Sequence, residues 1–293
     1  GVYVNGGTFN MYGGEITRNS GGVNVGKTGK FVMSGGSIAN NTTTGNGGGV
    51  YVGGGTFTMS GNASITGNTA SGNGCGGGVD AASGTFTMSG GSIANNTANI
   101  SGGGVIIELG TFNMSGSASI TNNTAIESGG GVFAREGAFN MSGGSITDNK
   151  ATSQGGGVYV WNAFTVSGNV NITDNKVGNA DNNVYLHENK IITIGGALTD
   201  GASIGVTKGG SPQDSVIATG ANEDYSGKFF SDDKTYVVKY EGGKLVLAEA
   251  EAQPPAHNHE WAYKNVDKST VSVFCKGTPG SCDYQTNPAT VKI

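Results

Sequence analysis

Apolar residues return to the same places along most of the chain. A phenylalanine is followed two positions later by a second apolar residue, and five or six positions beyond that by an isoleucine. The phenylalanines are Phe9, Phe31, Phe57, Phe86, Phe112, Phe139 and Phe164. The second column holds all six methionines (Met11, Met33, Met59, Met88, Met114, Met141) and ends with Val166. The isoleucines are Ile16, Ile38, Ile65, Ile93, Ile120, Ile146 and Ile172. Three residues after each stands an asparagine: Asn19, Asn41, Asn68, Asn96, Asn123, Asn149 and Asn175.

Phe and Met two apart, flanked by Thr, Ser or Asn, alternate with the period of a strand. Gly-Val-Tyr-Val segments such as Val50-Tyr51-Val52 alternate in the same way, and short Ser-Ile-Thr pieces make a third strand. Each repeat therefore predicts three short strands separated by glycine-rich turns. Successive repeat valines, from Val2 to Val184, lie between 21 and 29 residues apart. The length differences fall in the loops and never within a strand, as in a stacked core with variable edges. No single repeat can bury its Phe, Met, Ile and Val alone. Stacked coil on coil, each strand pairs in parallel with its copy in the next coil, and parallel connections favour a right-handed path. The expected fold is all-β: a right-handed parallel β-helix, a single-stranded solenoid of about eight coils and roughly 35 Å long at about 4.8 Å per coil. Inward asparagines at one corner would form a structural ladder, each amide bonding backbone and the next asparagine.

Composition sharpens this picture. Glycine supplies 56 of 293 residues, and charged residues are 13% of the chain, against an ordinary ~25%. The glycines keep fixed places in the repeat, which marks turns and not disorder. Net charge is −5, which disfavours a nucleic-acid partner. No apolar run suits a membrane span, so no membrane insertion is expected of this chain. An α-helical repeat does not fit, because no 3.6-residue stripe appears. The Gly-Gly-x-Gly-x-Asp signature of calcium-binding nonapeptide repeats is missing. Gly1-Val2-Tyr3-Val4 is a repeat already under way, so the chain reads as a piece of a longer protein.

The unit Gly-Gly-Gly-Val followed by Thr-Phe-x-Met-Ser-Gly-Gly-x-Ile-x-x-Asn, best seen over residues 84–105, resembles the repeats of bacterial surface β-helix proteins. These belong to the pectate-lyase-like superfamily, in adhesin-type and polymorphic outer-membrane-type forms. The resemblance covers residues 1–186 and implies the fold. For function it is ambiguous, since that fold carries lyases, hydrolases and adhesins. No autotransporter barrel follows the repeats, so the secretion route of such proteins does not transfer.

The rhythm changes after residue 186, and 23 charged residues fall in 186–293 against 14 in 1–185. Residues 187–248 are expected to form the final coils and a C-terminal β cap over the open end. Residues 249–258 read as a linker and 259–293 as a small β module, itself cut short.

Candidate chemistry is sparse. Outward positions on the valine strands of the later coils collect Phe133, Arg135, Tyr159, Trp161, Tyr185 and His187, after Ile106 and Glu108. Such an aromatic row suits a sugar ring or an apolar patch of a partner, although aromatics also stack across strands for purely structural reasons. Asp148 and Asp174 recur in register, as do Lys150 and Lys176. Two acids in one column are too few for a calcium cage, and a solvated ion-pair ladder explains them equally well. The rows Thr56-Thr58-Ser60 and Thr85-Thr87-Ser89 resemble ice-binding threonine arrays but are interrupted at Lys30-Val32-Ser34. Cys275 and Cys282 flank a turn and form a disulfide candidate; free thiols, or a zinc site with His257 and His259, are the alternatives. No nucleophile–base spacing, phosphate loop or nucleotide fingerprint occurs, so no catalytic residues, metal or cofactor are assigned. The expected role is non-catalytic: an extracellular or cell-surface bacterial adhesin-like or structural protein whose partner is carbohydrate or a host or cell-surface protein. The alternative is a polysaccharide lyase or glycoside hydrolase on the same scaffold. Oligomeric state is left open.

Overall fold

The computed structural model describes residues 1–251 and the strands Trp261–Asp267, Thr270–Cys275 and Ala289–Lys292. Residues 1–249 form one unit and 250–293 another. The first is a parallel β-solenoid (a β-helix) of about 9 turns. Each repeat column becomes a parallel ladder in register. Val79 pairs with Val50 on one side and Val105 on the other, Phe86 with Phe57 and Phe112, and Ile93 with Ile65 and Ile120.

The reason is burial. All three columns point inward, and Phe31, Phe57, Phe86, Phe112 and Phe139 are fully buried. Their rings stack face to face along the solenoid, with centroids 4.6–5.0 Å apart from Phe31 to Phe139. That spacing matches the distance between paired strands, so one geometry satisfies backbone bonding and ring stacking together.

A fourth ladder lies beyond the three expected. Two-residue strands follow the asparagines (Thr42–Thr43, Thr69–Ala70, Thr97–Ala98, Thr124–Ala125) and pair in parallel. Its inward residue is the small Ala70, Ala98 or Ala125, too slight to register as a core column in the sequence.

The glycine before the repeat valines up to Val158 is required by contact. A Cβ on Gly78 would lie 2.6 Å from the Gly104 carbonyl, 2.8 Å from Ile93 Cγ2 and 3.2 Å from Asn96 Nδ2. The residue before each ladder asparagine is left-handed: Asn40, Asn95, Asn122, Asp148 and Asp174 have φ of 55–62°. Asn and Asp tolerate this conformation best after Gly. The Asp148/Asp174 column is thus placed by backbone geometry.

Parallel stacking runs past the eight repeat valines, through the strand Ser203–Lys208 to Phe229–Ser231. Ile204 pairs with Ile172 and Val206 with Val184, both from the single strand Ser203–Lys208. In that turn the isoleucine and valine strands have fused, which removes the asparagine corner and hides the turn from the repeat pattern. After it, Val216–Thr219 pairs antiparallel with Lys244–Glu249, which pairs antiparallel with Tyr236–Glu241. Leu245 and Leu247 of this hairpin are buried in the same apolar core. Glu249, expected to open a linker, ends its last strand.

The second unit is a three-stranded antiparallel sheet, in which Thr270–Cys275 pairs with both Trp261–Asp267 and Ala289–Lys292. Cys275 ends the strand Thr270–Cys275, while Cys282, His257 and His259, and with them the disulfide and zinc readings, lie outside the described residues.

Candidate functional site

Two ladders of polar and aromatic side chains flank the apolar core. The first is the asparagine ladder at the corner after the isoleucine strand. Nδ2 of each member donates to Oδ1 of the next: Asn19 to Asn41 at 2.9 Å, Asn41 to Asn68 at 2.9 Å, then Asn96, Asn123, Asn149 and Asn175 at 3.0 Å each. The backbone N–H donates to the same oxygen, as from Asn68 to Asn96 at 2.9 Å. Nδ2 also reaches an isoleucine carbonyl of the preceding coil, as from Asn96 to Ile65 at 3.0 Å. Buried polar groups must be partnered in this way.

The ladder extends beyond the repeat. Asn175 donates to Asn183 at 3.1 Å, although only eight residues separate them. Asn183 occupies the place that glycine holds before every earlier repeat valine from Val23 on. Its amide and backbone N–H end on Asp232, at 2.6 and 2.7 Å, and Thr207 Oγ1 donates there too. Burial raises the Asp232 carboxyl above the usual carboxylate range, and these bonds oppose the rise. Neither Asn183 nor Asp232 stands in the sequence columns, so spacing alone could not find them.

The second ladder is the outward row of the valine strands: Tyr51, Asp80, Ile106, Phe133, Tyr159 and Tyr185, in register. Phe133 stacks on Tyr159 with centroids 4.9 Å apart, and Tyr159 on Tyr185 at 5.2 Å. Both faces of Tyr159 are therefore covered, and the residue is only 4% exposed. Burial pushes its hydroxyl up to about 12, with Tyr185 adding to the effect. The stack thus turns ring edges outward. Gln154 Nε2 donates to the Tyr185 hydroxyl at 3.1 Å.

Beside this stack run Arg135, Trp161 and His187, two positions further along each strand. Trp161 is 45% exposed and lies over His187 at 4.2 Å between centroids. Arg135 is exposed, and its nearest carboxylate is that of its neighbour Glu136 at 3.9 Å. All six candidate residues are therefore on one face, with Trp161 the most exposed of the rings.

One residue of this row was missed in the sequence. Asp80 replaces an aromatic between Tyr51 and Ile106, has no exposed surface, and neither carboxylate oxygen has a hydrogen-bond partner. Burial pushes its pKa to about 8; the negative charge of Glu108 adds to the rise, and the nearby Asn46 amide opposes it only in part. Asn46 Nδ2 donates to Glu108 Oε1 at 3.2 Å, and Asn46 Oδ1 accepts from the Cys75 N–H at 2.9 Å. Asn46, Cys75 and Glu108 line a cavity of about 400 Å³, together with Glu127, Phe133 and Arg135. A signal was available: Asp80 is the only aspartate before Asp148, and it falls at an outward strand position.

The Asp148 and Asp174 column borders a separate shallow cavity of about 370 Å³ with Lys150 and Lys176. Lys176 pairs with Asp181 at 2.5 Å. Among the described residues, no three of His, Cys, Asp and Glu converge to hold a metal ion, and no helix is long and apolar enough to cross a membrane.

No family model matches the chain, and no characterised protein or solved structure is similar to it at a significant level.

Proposed function

We propose that the chain is a non-catalytic recognition and display module of a bacterial cell surface, working outside the cell as an adhesin-like protein. In this reading the solenoid is right-handed, of the pectate-lyase-like type, and the hairpin Tyr236–Glu249 caps its last turn. The observation that carries the proposal is the outward row of the later coils. A rigid ladder core holds Trp161 half exposed beside His187 and Arg135, an arrangement suited to a sugar ring or a partner's apolar surface. The core positions are occupied by stacked apolar side chains, and the net charge of −5 favours a partner other than nucleic acid. A glycan array probed with the protein and with Trp161→Ala tests it. Binding that falls at least tenfold in the variant is expected; equal binding by both proteins would remove Trp161 from the site.

A second reading, a polysaccharide lyase or glycoside hydrolase, is favoured by one observation. Glu108, Glu127 and Arg135 line a single cavity, and paired carboxylates are what acid–base cleavage uses. Turnover of a polysaccharide panel that is abolished by Glu108→Gln would establish this reading in place of the first.

A further inference from the structure

The outward row of the valine strands is closed in the later coils and broken in the first ones. Its first three members are Tyr3, Asn24 and Tyr51, in register. From Phe133 to Tyr185 successive rings stand 4.9 and 5.2 Å apart, and nothing fits between them. The strands of Tyr3 and Tyr51 are two spacings apart, about 9–10 Å, and the exposed Asn24 lies between. Both rings run the same way along their strands. A Cβ on Gly26 would lie 3.4 Å from the Tyr3 hydroxyl, and one on Gly53 would lie 2.9 Å from Tyr51 Cε1. The Tyr3 hydroxyl is held there by donating to Asn5 Oδ1 at 3.0 Å. The middle coil therefore has glycine, not a ring, at the place where a third ring would lie.

Tyr3, Asn24 and Tyr51 line one cavity of about 420 Å³ together with Ser20 and Thr43, a volume in the range of small-molecule sites. No side chain that lines it carries a charge. We propose that this gap is a carbohydrate subsite that takes one neutral sugar ring between two tyrosine rings. It is separate from Trp161 and does not depend on it.

The width and the polar groups select the ligand. A planar ring held on both faces takes up about 7–8 Å, two carbon contacts of about 3.5–4.0 Å each. A sugar ring is puckered and thicker, and it fills the wider gap while its C–H face meets the negative face of each phenol. Its hydroxyls need partners once water leaves. Ser20 and Asn24 are exposed to supply them. Thr43 Oγ1 accepts from the Gly45 N–H at 3.1 Å, which leaves its own O–H free to donate. An aromatic side chain of a protein partner would fill the space less well and leave these groups unmet. A sugar bearing a carboxylate or an ammonium would lose water and gain no opposite charge from the lining.

The test is calorimetry on the Trp161→Ala protein, so that the second site is read alone. The probes are short oligomers of glucose and mannose, which are neutral, and of glucosamine and galacturonic acid, which are charged. A neutral oligomer should bind about tenfold more tightly than either charged one. Adding Asn24→Tyr continues the aromatic row through the gap. That variant should keep its melting temperature and lose binding by about tenfold or more. Should it not fold, Tyr3→Ala is the second variant, because Tyr3 is 65% exposed, and it should weaken binding in the same direction. Binding unchanged in a folded variant would overturn the subsite and leave the Trp161 reading standing. Binding that Trp161→Ala leaves at full strength and Asn24→Tyr removes would support the subsite and overturn the Trp161 face. Equal affinity for neutral and charged oligomers would overturn the proposal. No binding of either neutral oligomer would overturn it too, and binding of the peptide Gly-Phe-Gly in their place would assign the gap to a protein partner.

Discussion

At the scale of single residues, Asp80 is the clearest conflict between position and chemistry. Its neighbours in the row are Tyr51 and Ile106, and an acid between them has neither solvent nor a partner. Its pKa is raised from 3.8 to about 8, so the folded state binds a proton that the unfolded state has released. Stability from this group is complete below about pH 4 and is lost progressively as pH rises toward 8. Replacing Asp80 with Asn should raise the melting temperature at pH 8, by an amount on the order of a few kcal/mol in stability. The gain should shrink toward zero near pH 4. Thermal melts of both proteins across that interval check it; a gain independent of pH would mean that Asp80 is not the titrating group.

At the scale of elements, the corner after each isoleucine strand carries the longest polar network. Removing the side chain of Asn96 deprives Asn68 of the acceptor for two donors and Asn123 of one of its two donors. All of these groups are buried, so the loss should be about 2–5 kcal/mol. Asn19 at the end of the ladder accepts from no other asparagine and is partly exposed, and its alanine variant should cost less than half as much. Denaturant unfolding of the two variants provides the comparison. Equal costs would show that the ladder is not the source of the stability. Most of this element was readable in the sequence, since Asn recurs three residues after every Ile and only an inward amide at a turn gains from such regularity. What was not readable is how the ladder ends. Asn183 enters from a glycine position and Asp232 from 49 residues further on, and neither continues a column. The fourth ladder was hidden for a different reason: its inward alanines are small, and small residues carry little pattern.

At the scale of the whole molecule, the repeat announces a stacked parallel solenoid because four inward columns cannot be buried any other way. The ninth turn falls within residues 187–248, where final coils were expected, but outside the repeat columns, because its strands fuse in Ser203–Lys208, leaving Ile204 and Val206 two residues apart. The candidate face was legible as a set: Phe133, Arg135, Tyr159, Trp161, Tyr185 and His187 do share one side. Their arrangement was not legible, since alternation says which way a side chain points but not how rings on adjacent strands meet. The rings stack on one another, Tyr159 is enclosed, and Trp161 is the most exposed of them. The most direct measurement is therefore the fluorescence of Trp161 in a Trp261→Phe background, titrated with a glycan that the protein binds on an array. A saturable change in emission, with the same midpoint as binding measured by calorimetry, is the predicted result. Calorimetric binding with no change in Trp161 emission would contradict the account and place recognition elsewhere on the solenoid.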